Sequence, residues 1–213
     1  THRFSSSGRK GDKAGWYRFH DDDRPAGVFG CWRSDITVTW KADVRRQFPP
    51  EERRAWAERL RQLEAEREGE RKRAEAEAAK TAADEWARAG VAHHPYLTRK
   101  GIELIGARVL DDKILVPMRH GPGSLVGLQR IYPDGTKRFV KGTPKAGAYT
   151  TIGKPSRKGW IVICEGWATG VSIHMATGHC VVVAFDCGNL LSVATKIRAA
   201  LPEATLIMAA DDD

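Results

Sequence analysis

Carboxylate side chains follow the apolar segments in the last third of the chain. Glu165 comes directly after I-V-I-C, Asp186 directly after C-V-V-V-A-F, and the run D-D-D begins at Asp211 directly after T-L-I-M-A-A. In an extended chain, residues two apart point the same way, so Asp211 and Asp213 are expected to act together. Carboxylate oxygens are ligands that magnesium prefers. The acids therefore predict a divalent-cation site, provided that the fold brings them together.

The segments around these acids alternate between two patterns. Continuous apolar runs predict strands that are buried on both faces, while residues 166–177 and 189–201 between them have a helical composition. This alternation predicts a parallel, doubly wound sheet. The carboxyl ends of its strands share one edge, where ligands collect, so Glu165 and the aspartates are expected to meet there. The alternative is a carboxylate at a helix N-terminus and an unrelated acidic surface loop.

A basic block, residues 91–159, precedes that sheet. It holds 13 basic and 4 acidic side chains, a net charge of +9, whereas residues 160–213 carry −4. Three strand-like segments separated by G-P-G and P-D-G turns predict a small sheet. Alternation is expected to put Val126, Leu128 and Arg130 on one face of it. Such a surface attracts polyphosphate backbones, although a basic surface kept for solubility is the alternative. Its basic side chains are Arg119, Arg130, Lys137, Arg138, Lys141 and Lys145.

Two further segments precede the basic block. Residues 1–45 combine aromatic and β-branched runs with the turn sequence D-D-D-R-P-A-G, which predicts a small β-rich module in which Cys31 and Trp32 pack. Residues 46–90 are mostly Ala, Glu, Arg, Lys and Leu after a Pro-Pro-Glu-Glu start, which predicts a long helix. Its nearly balanced charge favours a solvated connector with local ion pairs, and a helical arm lying along nucleic acid is the alternative.

Composition excludes several classes of protein. No apolar run approaches the roughly 20 residues that a membrane-spanning helix needs, and T-H-R-F-S-S-S-G-R-K lacks the apolar core of a secretory signal. The four cysteines are scattered without a C-x-x-C pair, which argues against a disulfide framework or a zinc ribbon. We therefore expect a cytoplasmic protein with reduced thiols.

Several motifs taken together resemble a known family. An apolar strand followed by E-G, then an apolar strand followed by D-x-D two helices later, resembles the Toprim domain of topoisomerases and bacterial-type primases. The segments V-P-M-R-H-G-P-G-S-L-V-G-L-Q-R, T-K-R-F-V-K-G-T-P and Y-L-T-R-K-G-I resemble the basic subdomain that precedes Toprim in DnaG-like primases. The N-terminal G-W-Y-R-F-H and G-V-F-G-C-W-R-S resemble the leader of the plasmid and phage kind.

This resemblance implies an α/β (α+β overall) fold in four parts. They are a β-rich module (1–45), a helical connector (46–90), a basic primase-like subdomain (91–159) and a Toprim domain (160–213). The Toprim sheet is expected to be cut short after its third strand, because the family's fold continues with at least another helix and strand. The implied activity is synthesis of short RNA primers on single-stranded DNA from ribonucleoside triphosphates, during replication of a plasmid, phage or mobile element. A replicative helicase in a primosome is a further implied partner.

The resemblance also implies roles for particular residues. Glu165, Asp211 and Asp213 would be catalytic and would hold Mg²⁺ or Mn²⁺. Arg130 and Lys137 match basic positions that contact nucleotide or template, and Arg119, Arg138 and Lys141 would assist them. Two alternatives stay open: a Toprim nuclease or topoisomerase-like enzyme, and a non-catalytic DNA-binding replication accessory.

Overall fold

The computed structural model describes residues 1–9, 11–21, 25–42 and 49–209. Contacts divide the chain into two compact units, Thr1–Gln62 and Leu63–Asp213. Each is described by itself. The predicted boundaries between the four parts of the chain stay predictions. In the described ranges, no helix combines the length and the apolar character needed to cross a membrane.

The first unit contains an antiparallel sheet of four strands in sequence order, as the aromatic and β-branched pattern predicts. The strands are β1 (His2–Phe4), β2 (Gly15–His20), β3 (Ala26–Cys31) and β4 (Ile36–Lys41). Trp32 follows β3 and contacts the Trp16 ring, with 5.6 Å between ring centroids. This ring contact bears out the predicted packing of Trp32 on the small sheet, but the side chain stays 68% exposed. The reason is its place in the turn after β3, where strand alternation no longer applies.

The predicted long helix is confirmed as α1 (Pro50–Arg88), with Glu51 and Glu52 in its first turn. Local ion pairs are also confirmed, since Arg71 lies 2.7 Å from a Glu68 oxygen and 2.6 Å from a Glu75 oxygen. The interpretation of the whole helix as a solvated connector is wrong for its second half. Small alanine side chains let that half pack closely on a sheet, because Ala78 and Ala82 are fully buried there.

The basic block forms a short helix and the predicted small sheet, which is antiparallel and has four strands where the sequence indicated three. Helix α2 (Pro95–Lys100) comes first, and strands β5 (Arg108–Leu110), β6 (Lys113–Arg119), β7 (Leu125–Ile131) and β8 (Lys137–Phe139) then pair in sequence order. The register between β6 and β7 shifts at Met118/Arg119, so Val126 is an extra residue. This β-bulge overturns the prediction that Val126 shares a face with Leu128 and Arg130. Val126 packs on the cluster that contains Met118, and Leu128 packs on the α1 alanines.

The last segment contains the predicted parallel strands. They are β10 (Trp160–Cys164), β11 (Cys180–Val183) and β12 (Thr205–Ala209), separated by α3 (Trp167–Thr177) and α4 (Leu190–Ala200). Both β11 and β12 pair with β10 in parallel, which confirms the α/β class. Neither β5 nor β9 (Thr150–Ile152) was predicted, and β9 adds to β11 in antiparallel orientation, giving the order β12-β10-β11-β9.

Buried side chains join these elements of the second unit in layers. One cluster lies between the two sheets and includes Ile114, Val116, Val162 and Val181. On the other face of the parallel sheet, Ile161, Ile163 and Val182 pack on Val193 and Ile197 of α4. On the other face of the basic sheet, Leu115 and Leu128 pack on α1. The carboxyl ends of the parallel strands are thereby fixed beside the basic sheet.

Candidate active site

Glu165 occupies the turn between β10 and α3. Its backbone oxygen accepts a hydrogen bond of 2.9 Å from the Phe185 amide, which ties the end of β10 to the end of β11. Gly166 caps α3 with an extended backbone and no side-chain cap. The Glu165 side chain is half-buried, and no group within the described ranges hydrogen-bonds or ion-pairs with its carboxylate. A half-buried carboxylate without such a partner is suited to accept a ligand.

Phe185 marks a strained point beside this turn. Its φ angle is +69°, which costs a residue with a side chain about 1–2 kcal/mol. The ring is buried and meets the Phe139 ring edge-on, at 6.3 Å between centroids. Strained backbone of this kind is concentrated at functional sites, where surrounding contacts hold it in place. Here, packing on Phe139 and the hydrogen bond to Glu165 hold Phe185.

Strand β8 brings Lys137 to the Glu165–Gly166 turn. The Lys137 ammonium nitrogen lies 4.0 Å from the point where a Cβ on Gly166 would stand. Lys137 is paired with Ile131, whose side chain belongs to the core between the two sheets. Alternation therefore directs Lys137 towards the parallel sheet. The sequence did not indicate this approach to the Glu165 turn, and the contact of Lys137 with nucleotide or template stays a prediction.

Lys145 also lies at this edge, on the loop between β8 and β9. Its ammonium group lies 3.3 Å from an Asp186 carboxylate oxygen and 5.1 Å from the centroid of the Phe139 ring. Asp186 in turn accepts a hydrogen bond from the Gly188 amide. The sequence indicated that Lys145 was basic and that Asp186 followed a strand, but it gave no sign that they meet, because 41 positions separate them.

Asn189, whose role the sequence left open, holds the same loop. Its side-chain oxygen accepts a hydrogen bond of 2.6 Å from the Gly147 amide. Its nitrogen donates to the carbonyl oxygens of Ala148 and Ala184, at 2.9 and 2.8 Å. The residue is buried, with 6% of its surface exposed. The side chain thus links the loop after β8 to the end of β11.

Other predicted basic residues lie elsewhere. Arg130 makes two hydrogen bonds to the Glu85 carboxylate of α1, of 2.6 and 3.0 Å. Arg138 is paired with Arg130 across β7 and β8, so the two side chains share the face that meets α1. The five predicted nucleic-acid contacts are therefore not one surface: Lys137 faces the parallel sheet, and Arg130 and Arg138 face the other way.

Arg119 and Lys141 are the other two predicted nucleic-acid contacts. Arg119 ends β6 and lines an open cavity of about 360 Å³ together with Trp86, Arg108 and Tyr149. Within this cavity, Arg108 covers the Trp86 ring at 4.5 Å from its centroid. Lys141 follows β8 and is exposed. Both residues are accessible to an anionic partner, but neither is placed at the Glu165 turn by a described contact.

The predicted partners of Glu165 lie beyond the last described strand. Strand β12 ends at Ala209, which is in register with Cys164, the residue before Glu165. Asp211 and Asp213 lie outside the described residues. Among the residues that the structure does describe, no three His, Cys, Asp or Glu side chains are grouped closely enough to hold a metal ion. The three-carboxylate metal site therefore stays a prediction.

Comparison with known proteins supports the predicted resemblance. No protein-family model matches the chain. Two proteins of Escherichia coli, both named DNA primase TraC, are 34% and 33% identical to it over 100% and 97% of its length. The chain spans only 21% and 15% of those relatives. Their names confirm that the chain resembles primases over its whole length.

A solved structure is also similar. It is the primase fragment of the bacteriophage T7 primase-helicase protein, with a TM-score of 0.44 and 16% identity over 59% of this chain and 61% of that one.

Proposed function

We propose that the chain contributes the catalytic core of a DNA primase, an RNA polymerase that makes short primers on single-stranded DNA. The observation that carries this proposal is the edge of the parallel sheet. There, Glu165, a carboxylate with no partner among the described residues, occupies the turn that the Lys137 ammonium group approaches, and Lys145 pairs with Asp186 at the end of the neighbouring strand. Similarity to primases over the whole chain supports the same assignment. Replication of a plasmid, phage or mobile element in the cytoplasm is the setting that we propose.

A divalent cation, Mg²⁺ or Mn²⁺, fits this site by the chemistry of its donors. Glu165 offers a half-buried carboxylate, and β12 ends in register with the residue before it, shortly before Asp211 and Asp213. We propose that these three residues hold the cation, since hard oxygen ligands are what it requires. When bound, it would neutralise developing charge on the phosphates. Glu165 has a second possible task, which is to take up a proton.

Two lysine side chains of this protein would bind the nucleotide. In primer synthesis a ribose hydroxyl attacks the α-phosphorus of a nucleoside triphosphate, a new P–O bond forms, and pyrophosphate leaves as the hydroxyl loses its proton. Lys137 and Lys145 would bind the triphosphate by charge-assisted hydrogen bonds. Lys137 reaches the edge from strand β8, and Lys145 reaches it from the loop after β8, which is hydrogen-bonded to Asn189 and Lys196. Positioning and charge stabilisation are the main needs of phosphoryl transfer.

We assign the template to the remaining basic residues. Arg119, Arg138 and Lys141 have exposed or half-exposed side chains with no carboxylate partner in the described part of the chain. Arg130 is occupied by Glu85, so it would contact nucleic acid only after that ion pair opens. The proposed partners are single-stranded DNA, ribonucleoside triphosphates and a replicative helicase.

A primer-synthesis assay tests this function. The 213-residue chain would be incubated with single-stranded DNA, ribonucleoside triphosphates and Mg²⁺ or Mn²⁺. Glu165→Gln and Asp211→Asn are expected to lower the rate at least about 100-fold, because each removes a charged ligand of the cation that would neutralise the reacting phosphates. The matched control is Glu203→Gln, an exposed acid whose ion-pair partner among the described residues is Lys158. Its primer yield is expected to equal that of the unchanged chain.

Other outcomes would select another function. Cleavage of the DNA that depends on Glu165 would identify a nuclease or a topoisomerase-like enzyme instead. A tyrosine nucleophile has limited support, since Tyr96 is buried and that burial raises the pKa of its hydroxyl. Binding of single-stranded DNA without any acid-dependent reaction would identify a non-catalytic accessory. Undiminished primers from both acid variants would refute the proposed catalytic site.

A further inference from the structure

In the loop between β8 and β9, side chains of other segments hydrogen-bond both the amide and the carbonyl group of Gly147. The Gly147 amide donates to Asn189, and the Gly147 carbonyl accepts a hydrogen bond of 2.8 Å from the Lys196 ammonium group. The next carbonyl, that of Ala148, accepts from the Asn189 nitrogen. Gly147 has a φ angle of +67°, a conformation that favours glycine. The backbone two residues after Lys145 is therefore fixed to the start of α4.

Asn189 suits this task because of its side-chain chemistry. The site needs one acceptor for the Gly147 amide and two donors for the carbonyl oxygens of Ala148 and Ala184. A carboxamide supplies one carbonyl oxygen and two N–H groups on a planar unit. A carboxylate of the same size would direct an oxygen at two carbonyl oxygens, and an alanine would leave three buried polar groups without that partner.

The anchored loop holds Lys145 at the Glu165 edge. Lys145 covers the Phe139 ring and pairs with Asp186, which lies three positions before Asn189 in the 3₁₀ turn before α4. One short segment, residues 186–189, thus fixes the loop backbone through its amide and engages the lysine through its carboxylate. The pair is half-exposed, with side-chain exposures of 47% and 42%, so a phosphate can reach the lysine.

We propose that Asn189 is a positioning residue for nucleotide binding. It holds residues 142–149 so that Lys145 binds the triphosphate of the incoming ribonucleotide. Asp186 forms an ion pair with Lys145 until the triphosphate displaces the Asp186 carboxylate. This inference rests on the proposed primase function and deepens it. It gives the A-F-D-C-G-N-L segment after β11 a task at the substrate-binding step.

A double-mutant cycle tests the inference. Binding of ATP and GTP with Mg²⁺ would be measured by calorimetry for the unchanged chain, Asn189→Ala, Lys145→Ala and the double variant. Each single change is expected to weaken nucleotide binding about tenfold, the effect of one lost charge-assisted hydrogen bond. If Asn189 acts through Lys145, the double variant is expected to lose about tenfold as well, whereas independent effects would multiply to about 100-fold.

Two further measurements separate positioning from general damage to the fold. Val193→Ala serves as the matched control, because Val193 is fully buried on α4, one turn after Asn189, and its apolar side chain makes no hydrogen bond to the loop. It is expected to lower the melting temperature and to keep the full Lys145 effect. Hydrogen exchange at the Gly147 amide is expected to accelerate in Asn189→Ala but not in Val193→Ala.

The outcomes distinguish this inference from the proposed function. An unchanged chain that binds neither nucleotide would refute the function, and the inference would fall with it. If the unchanged chain binds nucleotide tightly, Lys145→Ala is compared in two backgrounds, the unchanged chain and Asn189→Ala. An equal loss of nucleotide binding in both backgrounds would overturn the inference and leave the proposed function standing. In primer synthesis, the expected signature of Asn189→Ala is a raised KM for nucleotide with a smaller change in kcat, since the change affects ground-state binding.

Discussion

The ion pair between Arg130 and Glu85 yields a prediction that separates a structural role from a nucleic-acid contact. Arg130→Ala removes a guanidinium that makes two hydrogen bonds to one carboxylate, at 2.6 and 3.0 Å. The side chains are 22% and 14% exposed, so Glu85 would be left without this partner in a mostly buried place. We expect the change to destabilise the second unit and thereby to weaken DNA binding only indirectly.

The magnitude follows from the burial of the pair. Breaking a fully buried pair by removing one partner costs about 3–5 kcal/mol, and an exposed pair contributes at most about 1 kcal/mol. The exposures here lie between these limits, which gives about 2 kcal/mol for Arg130→Ala. For a unit of this size, that loss corresponds to a melting temperature lower by about 4–8 °C.

Urea unfolding of four chains measures this effect: unchanged, Arg130→Ala, Glu85→Ala and the double variant. The double variant is expected to recover part of the loss, because neither charge is then left unpaired. Arg71→Ala is the matched control, since Arg71 contacts two carboxylates on the same helix but is 59% exposed; its cost is expected to stay below about 1 kcal/mol. Stability unchanged in Arg130→Ala, together with lost binding of single-stranded DNA, would refute the structural reasoning.

Two other features give predictions of their own. Trp167→Ala is expected to lower the free energy of unfolding by about 3–5 kcal/mol, because the ring is fully buried and its indole nitrogen donates to the Ile105 carbonyl at 3.0 Å. Chemical denaturation measures this loss, and a loss below about 1 kcal/mol would contradict the packing. Hydrogen bonding with Ser6 lowers the pKa of Cys31 to about 7, whereas burial raises the pKa of Cys180 to about 11. Iodoacetamide is therefore expected to modify Cys31 with a midpoint near pH 7, since the thiolate is the reactive form, and to spare Cys180 until unfolding. Mass spectrometry follows both thiols, and a Ser6→Ala variant whose midpoint does not rise would refute the stated cause.

Local patterns were sufficient to predict the elements around Glu165. Three continuous apolar runs separated by helices specify parallel strands, because connections of that kind are right-handed and return to the same sheet. That rule also places the strand ends at one edge, so the position of Glu165 follows from sequence. Strands β5 and β9 escaped prediction because each has only three residues, too few for an alternating pattern, whereas β8 was predicted as part of the longer segment K-R-F-V-K.

Pairings between distant residues were not predictable in this way. Arg130 and Glu85 are 45 positions apart, and neither differs in sequence from the many exposed charges around it. The packing of α1 was missed because alanine is both a strong helix former and a small contact residue. A run of alanines therefore does not reveal that Ala78 and Ala82 face a sheet. The bulge at Val126 was likewise invisible, since one inserted residue changes the face without changing the composition.

Strand β8 explains why one basic segment can serve two ligands. Successive side chains on a strand point to opposite faces, so Lys137 faces the Glu165 turn and Arg138 faces the side where α1 packs. A nucleotide bound at the Glu165 edge would therefore engage Lys137, and the loop that follows β8 would add Lys145. A template strand on the other face would meet Arg138. The basic side chains of this block therefore lie on two faces of the sheet, because neighbouring residues of β8 point to opposite sides.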